Sequence, residues 1–379
     1  MNLLASPATL KALLGERFRT LLGLCCVAQA LAGAVAQTVP SAPASPLPLP
    51  ASVVVAVSGG TGEAYEQAAQ ALERSLTQVL RLDGKTAVFV HVDVRDGTTP
   101  SRPEQAAPRL HIALGVQACA QLARQNAAAL NHALVLCTLL PRQSFEYLLR
   151  EAGRQAGPDF SALYLNQPLS RQLDLIRLAL PRARRVGVLL GTTPDARRTE
   201  AQLVELARER GLRVVSARVD AGDPLFPGLK QVLDEADVLL AMADPQIYNS
   251  HTIQNILLTS FRAKVPMQAF SPAYARAGAL LALYATPEQI GTQVALLVRE
   301  ALTEQDGNAR GFGSPQHTQL FEVNVNAHVA RSLGLQLDAA ALADRLRRLE
   351  TRPGPERKSE RCPDVRDGLA RACARSEGQ

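Results

Sequence analysis

Residues 185–242 read RVGVLLGTTPDARRTEAQLVELARERGLRVVSARVDAGDPLFPGLKQVLDEADVLLAM. Three short runs rich in Val and Leu, 185–190, 213–219 and 237–242, alternate with two stretches whose apolar residues recur every three or four positions, 199–211 and 227–235. The runs have the length and β-branched content of buried strands, and the stretches have the period of helices. Gly211 supplies a stop for the first helix. Strands separated by single helices must run parallel, because only a crossover can join them, and helices then cover both faces of the sheet.

The alternation extends in both directions. Toward the C-terminus, 253–264 reads as a helix, 265–270 and 279–284 as strands, and 287–302 as a helix opened by Pro287 at its first turn. Residues 321–325 and 327–333 close the pattern. Toward the N-terminus, 53–57, 86–94, 110–114 and 133–139 read as strands. Residues 64–80, 118–126 and 169–180 read as helices, the last stopped by Pro181. Residues 141–168 read as a long irregular stretch that divides two series. The fold class is therefore α/β, with two doubly wound parallel-sheet lobes rather than one barrel.

The composition agrees with a folded body. The chain has 379 residues, of which 47% are hydrophobic and 20% charged, which excludes wholesale disorder. Of the net charge of +6, the segments 1–36 and 351–379 carry most, leaving a nearly neutral body. Aromatic residues make up 4% and Trp is absent, so the basic stripe and stacking platforms of a nucleic-acid binder are missing.

Lys11, Arg17 and Arg19 precede the apolar run 21–35, which ends in Ala34-Val35-Ala36. This is the form of a secretory signal peptide over 1–36, cleaved near Ala36. The run is shorter than the roughly 20 residues that a spanning helix needs. Residues 37–50 read as a Pro-rich linker and 349–379 as a disordered tail. The expected location is the periplasm. Export permits disulfides among Cys119, Cys137, Cys362 and Cys373. A local pair in each region, Cys119–Cys137 and Cys362–Cys373, is the simplest arrangement, and two buried free thiols at 119 and 137 are the alternative. The sequence has no C-x-x-C and no His pair at helical spacing, so no metal site is expected.

The sequence contains no G-x-S-x-G elbow, no phosphate-binding loop of the G-x-x-x-x-G-K-[ST] form and no H-E-x-x-H, so neither catalysis nor a cofactor is expected. Ser58-Gly59-Gly60-Thr61-Gly62 joins the first strand to a helix, but Tyr65 stands where a dinucleotide fingerprint needs its third glycine. The segment is either an ordinary turn or a site where free helix N–H groups meet an anion. Gly115-Val116-Gln117 occupies the end of another strand, so both segments belong to one rim, where open α/β sheets bind ligands. Gly191-Thr192 and Ala243-Asp244 occupy the equivalent ends in the second series. Asp244 either accepts from a ligand amine or caps the following turn. Tyr248, Phe270, Ser271 and Tyr274 are candidates for the wall, with core packing as the alternative for the aromatics.

Four longer stretches carry a resemblance: LYLNQPLSRQLDLIRLALPRARRVGVLLG (163–191), ADPQIYNSHTIQNILLTSFRAKVPM (243–267), SPAYARAGALLALYATPEQIGTQVALLVREAL (271–302) and FEVNVNAHVARSLGL (321–335). The sequence resembles the periplasmic substrate-binding proteins of ABC importers, in the branch that includes the tryptophan/tyrosine-binding component. The resemblance spans about residues 52–337. It implies a type I periplasmic-binding fold, with two lobes joined by a multi-strand hinge and crossings near 160, 268 and 315. The implied first lobe is 51–160 plus 268–312, and the second is 161–267 plus 313–348. It implies that Ser58, Gly59, Gly60, Gln117 and Ala118 hold a ligand carboxylate, and that Asp244, with Asn249 nearby, meets an amine. Pro245-Gln246-Ile247-Tyr248 departs from the Asp-Asn pair that amino-acid binders often show there. The implied protein is a monomer that is not an enzyme. It captures a small molecule, such as an amino acid or small organic acid, and delivers it to an ABC permease in the inner membrane. A ligand-sensing subunit for a membrane receptor or kinase, and an exported α/β enzyme, are the alternatives.

Overall fold

A computed structural model describes residues 52–94, 108–220, 222–305 and 308–351. The expected signal peptide and linker, the Cys362–Cys373 pair and residues 352–379 of the expected tail lie outside the described residues.

The first part of the chain forms β1 (Ser52–Gly59), α1 (Glu63–Leu82), β2 (Thr86–Asp93), β3 (Leu110–Leu114), α2 (Val116–Ala123), β4 (Leu134–Leu140), α3 (Arg142–Glu151) and β5 (Phe160–Tyr164). The second series is α4 (Leu169–Ala179), β6 (Arg185–Leu190), α5 (Pro194–Glu209), β7 (Arg213–Arg218), α6 (Leu225–Glu235), β8 (Val238–Leu240), α7 (Ile253–Arg262), β9 (Met267–Ala269), α8 (Pro272–Ala277) and β10 (Leu281–Tyr284). The chain ends with α9 (Pro287–Ala301), a small ribbon of β11 (Glu304–Gln305) and β12 (Asn308–Ala309), then β13 (Gln316–His317), β14 (Glu322–Val325), α10 (Ala327–Ser332) and α11 (Ala339–Thr351).

Two six-stranded sheets result, ordered β13-β5-β4-β3-β1-β2 and β14-β10-β9-β8-β6-β7. All pairs in the first sheet are parallel, and in the second only β14 runs antiparallel. The two-residue period of a strand sends alternate side chains to opposite faces. Leu110, Ile112 and Leu114 pack with Leu72, Leu76, Ile290 and Val294 of α1 and α9, while Ala113 packs on the other face with Phe145 and Cys119 of α3 and α2. In the second sheet Val186, Val188 and Leu190 face α4, α5 and α11, and Leu189 faces α6 and α7. Burying both faces explains why these strands read as continuous apolar runs.

Local chemistry fixes the ends. Thr286 and Gln289 form a reciprocal capping box at the start of α9, with Pro287 at its first position. A Cβ at Gly291 would meet the Ala68 carbonyl oxygen and lie 2.8 Å from the Leu72 nitrogen, so α9 and α1 approach as closely as glycine allows. Cys119 and Cys137 form a disulfide between α2 and β4, with Cα atoms 5.5 Å apart.

Several sequence-based boundaries need correction. The stretch 141–168 is not irregular, because it contains α3 and β5. The lobes divide differently from the expected 51–160 plus 268–312 and 161–267 plus 313–348. Strand β5 pairs with β4 in the first sheet, so the first crossing follows Tyr164. Strands β9 and β10 extend the second sheet from β8, so the return crossing falls after Tyr284 rather than near 268. Strand β13 pairs with β5, so the last crossing lies between His317 and Glu322 rather than near 315. The expected tail from 349 begins inside α11, whose Leu346 is fully buried.

Candidate functional site

Three segments link the two sheets: 165–168, 285–286 and 318–321. A buried guanidinium ties two of them together. Arg171 Nη1 donates to Gln167 Oε1 at 2.5 Å and to the Thr318 carbonyl at 2.9 Å, while Nε and Nη2 engage the Glu350 carboxylate at 2.5 and 3.0 Å. The guanidinium lies 4.5 Å above the Phe321 ring. Thr318 Oγ1 donates to Gln293 Oε1 at 2.7 Å, bringing α9 into the same network. His317 donates through Nδ1 to the Asn166 carbonyl at 2.7 Å in the tautomer that satisfies both groups. Burial lowers its pKa against the pull of that bond, and Arg142 and Arg171 lower it further.

In front of these crossings lies a cavity of about 910 Å³. Gln67, Val116 and Ser144 line it from the first sheet's helices. Asp244, Tyr248, Phe270 and Arg276 line it from the second lobe, and Asn166, Gln167, Tyr284 and Thr286 belong to or border the crossings. The site lies at the carboxyl ends of the parallel strands, where helix N-termini point inward. Val116 begins α2 without a side-chain cap, leaving first-turn N–H groups for a ligand or water. The aromatic wall is continuous. Phe270 meets Tyr248 edge-on at 6.2 Å and Tyr274 at 5.1 Å between ring centroids. Tyr248 is buried, and burial pushes its phenol pKa up. Its hydroxyl lies near the Leu189 backbone without reaching hydrogen-bond geometry.

The fifteen candidate residues fall into distinct environments. Asp244, Tyr248, Phe270 and Ser271 line the cavity. Asp244 also shapes its own loop, because Oδ1 accepts from Gln246 N at 2.9 Å and Oδ2 from Gly191 N at 3.3 Å. Asn249 holds the same loop, accepting from His251 N and Thr252 N and donating to the Pro245 carbonyl. Tyr274 donates to the Tyr248 carbonyl at 3.2 Å, behind the wall. Ser58 and Gly59 end β1 beside Leu114 of β3, so Ser58, Gly59, Gly60, Thr61, Gly115 and Gln117 share one rim. None of these six lines the cavity, and neither do Gly191 and Thr192. Ala118 is buried in the core around the disulfide. Gly115 has φ +90° with the Tyr65 ring 2.8 Å from where a Cβ would stand, so its glycine serves backbone geometry and close packing.

Residues absent from the sequence reading are mainly those of the crossings, Leu165, Asn166, Gln167, Tyr284 and Thr286, and Arg276 on α8. Their placement depends on where the chain changes lobes, which no local motif marks.

A second cavity of about 620 Å³ adjoins the first and shares Pro141, Asn166, Gln167, Ala243, Phe270 and Leu283 with it. It opens between α3 of the first lobe and α5 of the second. Arg150 Nη2 crosses this opening to Asp195 Oδ2 at 2.5 Å, and Gln143 donates to Thr199 at 3.2 Å. Among the described residues, no cluster of His, Cys, Asp and Glu could hold a metal ion. Among them, too, no helix is long and apolar enough to cross a membrane.

Two doubly wound sheets, three crossings and a cavity between lobes define the architecture with which known proteins can be compared. Residues 163–345 match the family model of the ABC transporter substrate binding protein. The match covers a little under half of the chain and lies mostly in the second lobe, the hinge crossings and α9. Substrate-binding proteins of this family serve transport and are not catalysts. With the two sheets, the match supports the type I periplasmic-binding fold, an exported location and a general solute-binding role in ABC import.

A substrate binding protein with adhesive properties from Clostridium difficile, solved in a ligand-free, open form, superposes with a TM-score of 0.54. The two share 14% identity over 76% of this chain and 96% of that one, a likeness of fold. A conserved domain protein from Vibrio cholerae gives a TM-score of 0.48 at 20% identity, over 77% of this chain and 97% of that one. An ABC domain from Streptococcus pneumoniae in complex with L-Trp gives 0.48 at 14% identity, over 76% and 98%. No curated protein matches the sequence.

Proposed function

We propose that this protein captures a small organic solute between its two lobes outside the cytoplasmic membrane and delivers it to an ABC-type permease. The observation that carries this reading is the cavity of about 910 Å³ walled by residues of both lobes in front of the crossings. Its volume suits a small organic molecule, and its mixture of aromatic surface with a few polar groups is what such sites use for affinity and orientation. Phe270 and Tyr248 supply the apolar wall. Asp244 and Arg276 are the charged groups of the second lobe within reach of the same space. The α2 N-terminus offers first-turn N–H groups to a polar group on the ligand. The rim from Ser58 to Thr61 meets the ligand once the lobes draw together. A ligand touching both lobes stabilises the closed form, which is the form a permease can distinguish from the empty protein.

The experiment is a thermal-shift panel of amino acids, aromatic acids, small organic acids, nucleosides and sugars. A ligand at about 100 times its Kd adds about 2.7 kcal/mol and raises the midpoint by several degrees. Phe270→Ala should leave the protein folded and weaken the responding ligand tenfold or more. An unchanged affinity in that variant would remove Phe270 from the site, and a flat panel on folded protein would contradict solute capture.

A further inference from the structure

The second cavity has a different chemistry from the first. Four guanidiniums, of Arg142, Arg150, Arg154 and Arg198, line it against two carboxylates, of Glu146 and Asp195, an excess of two positive charges. His317 adds none near neutral pH, because burial lowers its pKa. Arg142 is paired with Glu146 at 2.6 Å. Asp195 alone serves both Arg150 and Arg198. Arg154 lies 4.5 Å over the Phe160 ring and donates to the Gln125 carbonyl at 2.5 Å, with no carboxylate of its own among these groups. The cluster draws from both lobes, Arg150 from α3 and Arg198 from α5.

Gln167 joins the second cavity to the first. Gln167 lines both cavities and is 3% exposed, yet its Nε2 has no hydrogen-bond partner among the described residues. A buried amide donor without an acceptor is uncommon in a folded protein. It lies at the shared wall, beside Phe270 and Asn166. The combined site thus has an aromatic half and a cationic half, with Gln167 in the wall they share.

Resting on the solute-binding reading above, we infer that the cavity between α3 and α5 is a subsite for the anionic end of the ligand, whose apolar body lies against Phe270 in the adjoining cavity. The chemistry recognised is an oxyanion, a carboxylate or a phosphate. Guanidiniums meet such groups with paired N–H donors, and partial exclusion of water strengthens the interaction. The Asp195 carboxylate holds the subsite in the empty protein. Burial pushes its pKa up, but the hydrogen bonds from Arg150 and Arg198 outweigh burial and keep it ionised. A ligand anion joins or replaces Asp195 as their partner, and because the two arginines belong to different lobes it also favours closure.

The test compares three probes with one aromatic body, 3-phenylpropanoate, phenyl phosphate and the uncharged 3-phenylpropan-1-ol, by calorimetric titration of the full chain. The unsubstituted protein should bind at least one anion tenfold or more tighter than the alcohol, and the better anion identifies carboxylate or phosphate. The double variant Arg150→Gln, Arg198→Gln should lose that preference and keep the alcohol's affinity. The side chains are 49% and 68% exposed, so the variant should fold, as a circular dichroism melt would verify. Asp195→Asn should tighten the anions by removing their competitor. Equal binding of the three probes, or an anion preference that survives the double variant, would overturn the subsite and leave solute capture standing. Absence of binding by all three would also overturn it, while the wider ligand panel independently decides solute capture.

Discussion

Arg171 shows how one side chain can organise a hinge. It is buried, paired with Glu350, and bonded to Gln167 and Thr318, which belong to different crossings. Removing it leaves Gln167 Oε1 and the Thr318 carbonyl at the crossings without their donor, and releases a Glu350 carboxylate whose side chain is 34% exposed. Arg171→Ala should therefore destabilise the protein by about 2 kcal/mol, chiefly through the buried acceptors left unpaired, and a urea melt would measure it. A loss under about 1 kcal/mol would mean that the network is solvated like a surface pair. Asp244 illustrates the overlap of roles at the same scale. Its carboxylate accepts from two backbone N–H groups, so the capping role weighed from sequence is occupied, and its place in the cavity wall leaves it within reach of a ligand.

Among the elements, the disulfide joins α2 to β4 and is buried at both ends. It closes a loop with a sequence separation of 18, for which chain-entropy arguments give about 3 kcal/mol. The double variant Cys119→Ala, Cys137→Ala should lower the midpoint by several degrees, and an unchanged melt would show that the pair contributes nothing to folding.

Legibility from sequence also differed by element. Strands β6 to β8 stood out because burial on both faces leaves uninterrupted Val and Leu, bounded by Pro181 and Gly211. Helix α3 did not, because RQSFEYLLRE is short, largely polar and lacks a side-chain cap at Pro141. Its N-terminus is held instead by Asn166, which accepts from Arg142 N, and that partner is remote in sequence. Strand β13 has two residues and is defined by pairing with β5. Of the site, Asp244, Tyr248, Phe270 and Ser271 could be inferred from strand ends and aromatic placement. The arginine cluster could not, since Arg150 and Arg198 meet only through the relative placement of two lobes.

For the whole molecule, pH should act in two windows. Burial lowers the pKa of His111 and His317 from the ordinary 6.5, so the unfolded chain takes up protons first as pH falls. Stability should be full above about pH 6.5 and decline below it toward the folded pKa values. Asp237 and Glu200 are held below 3.8 and 4.5, because hydrogen bonds from Arg185 and from Ser216 and Arg218 outweigh burial. Their contribution should be lost at lower pH, as acid drops through those lowered values. A melting midpoint flat from about pH 7 to pH 5 would contradict the histidine part, and His317→Asn should reduce the slope there.

Solute capture by two lobes requires a cleft that closes on its ligand. The most direct measurement is small-angle X-ray scattering of the full chain with and without a saturating ligand chosen by its thermal shift. The radius of gyration should be smaller with ligand, as the lobes draw together about segments 165–168, 285–286 and 318–321. An unchanged radius with a ligand that raises the melting midpoint would contradict it.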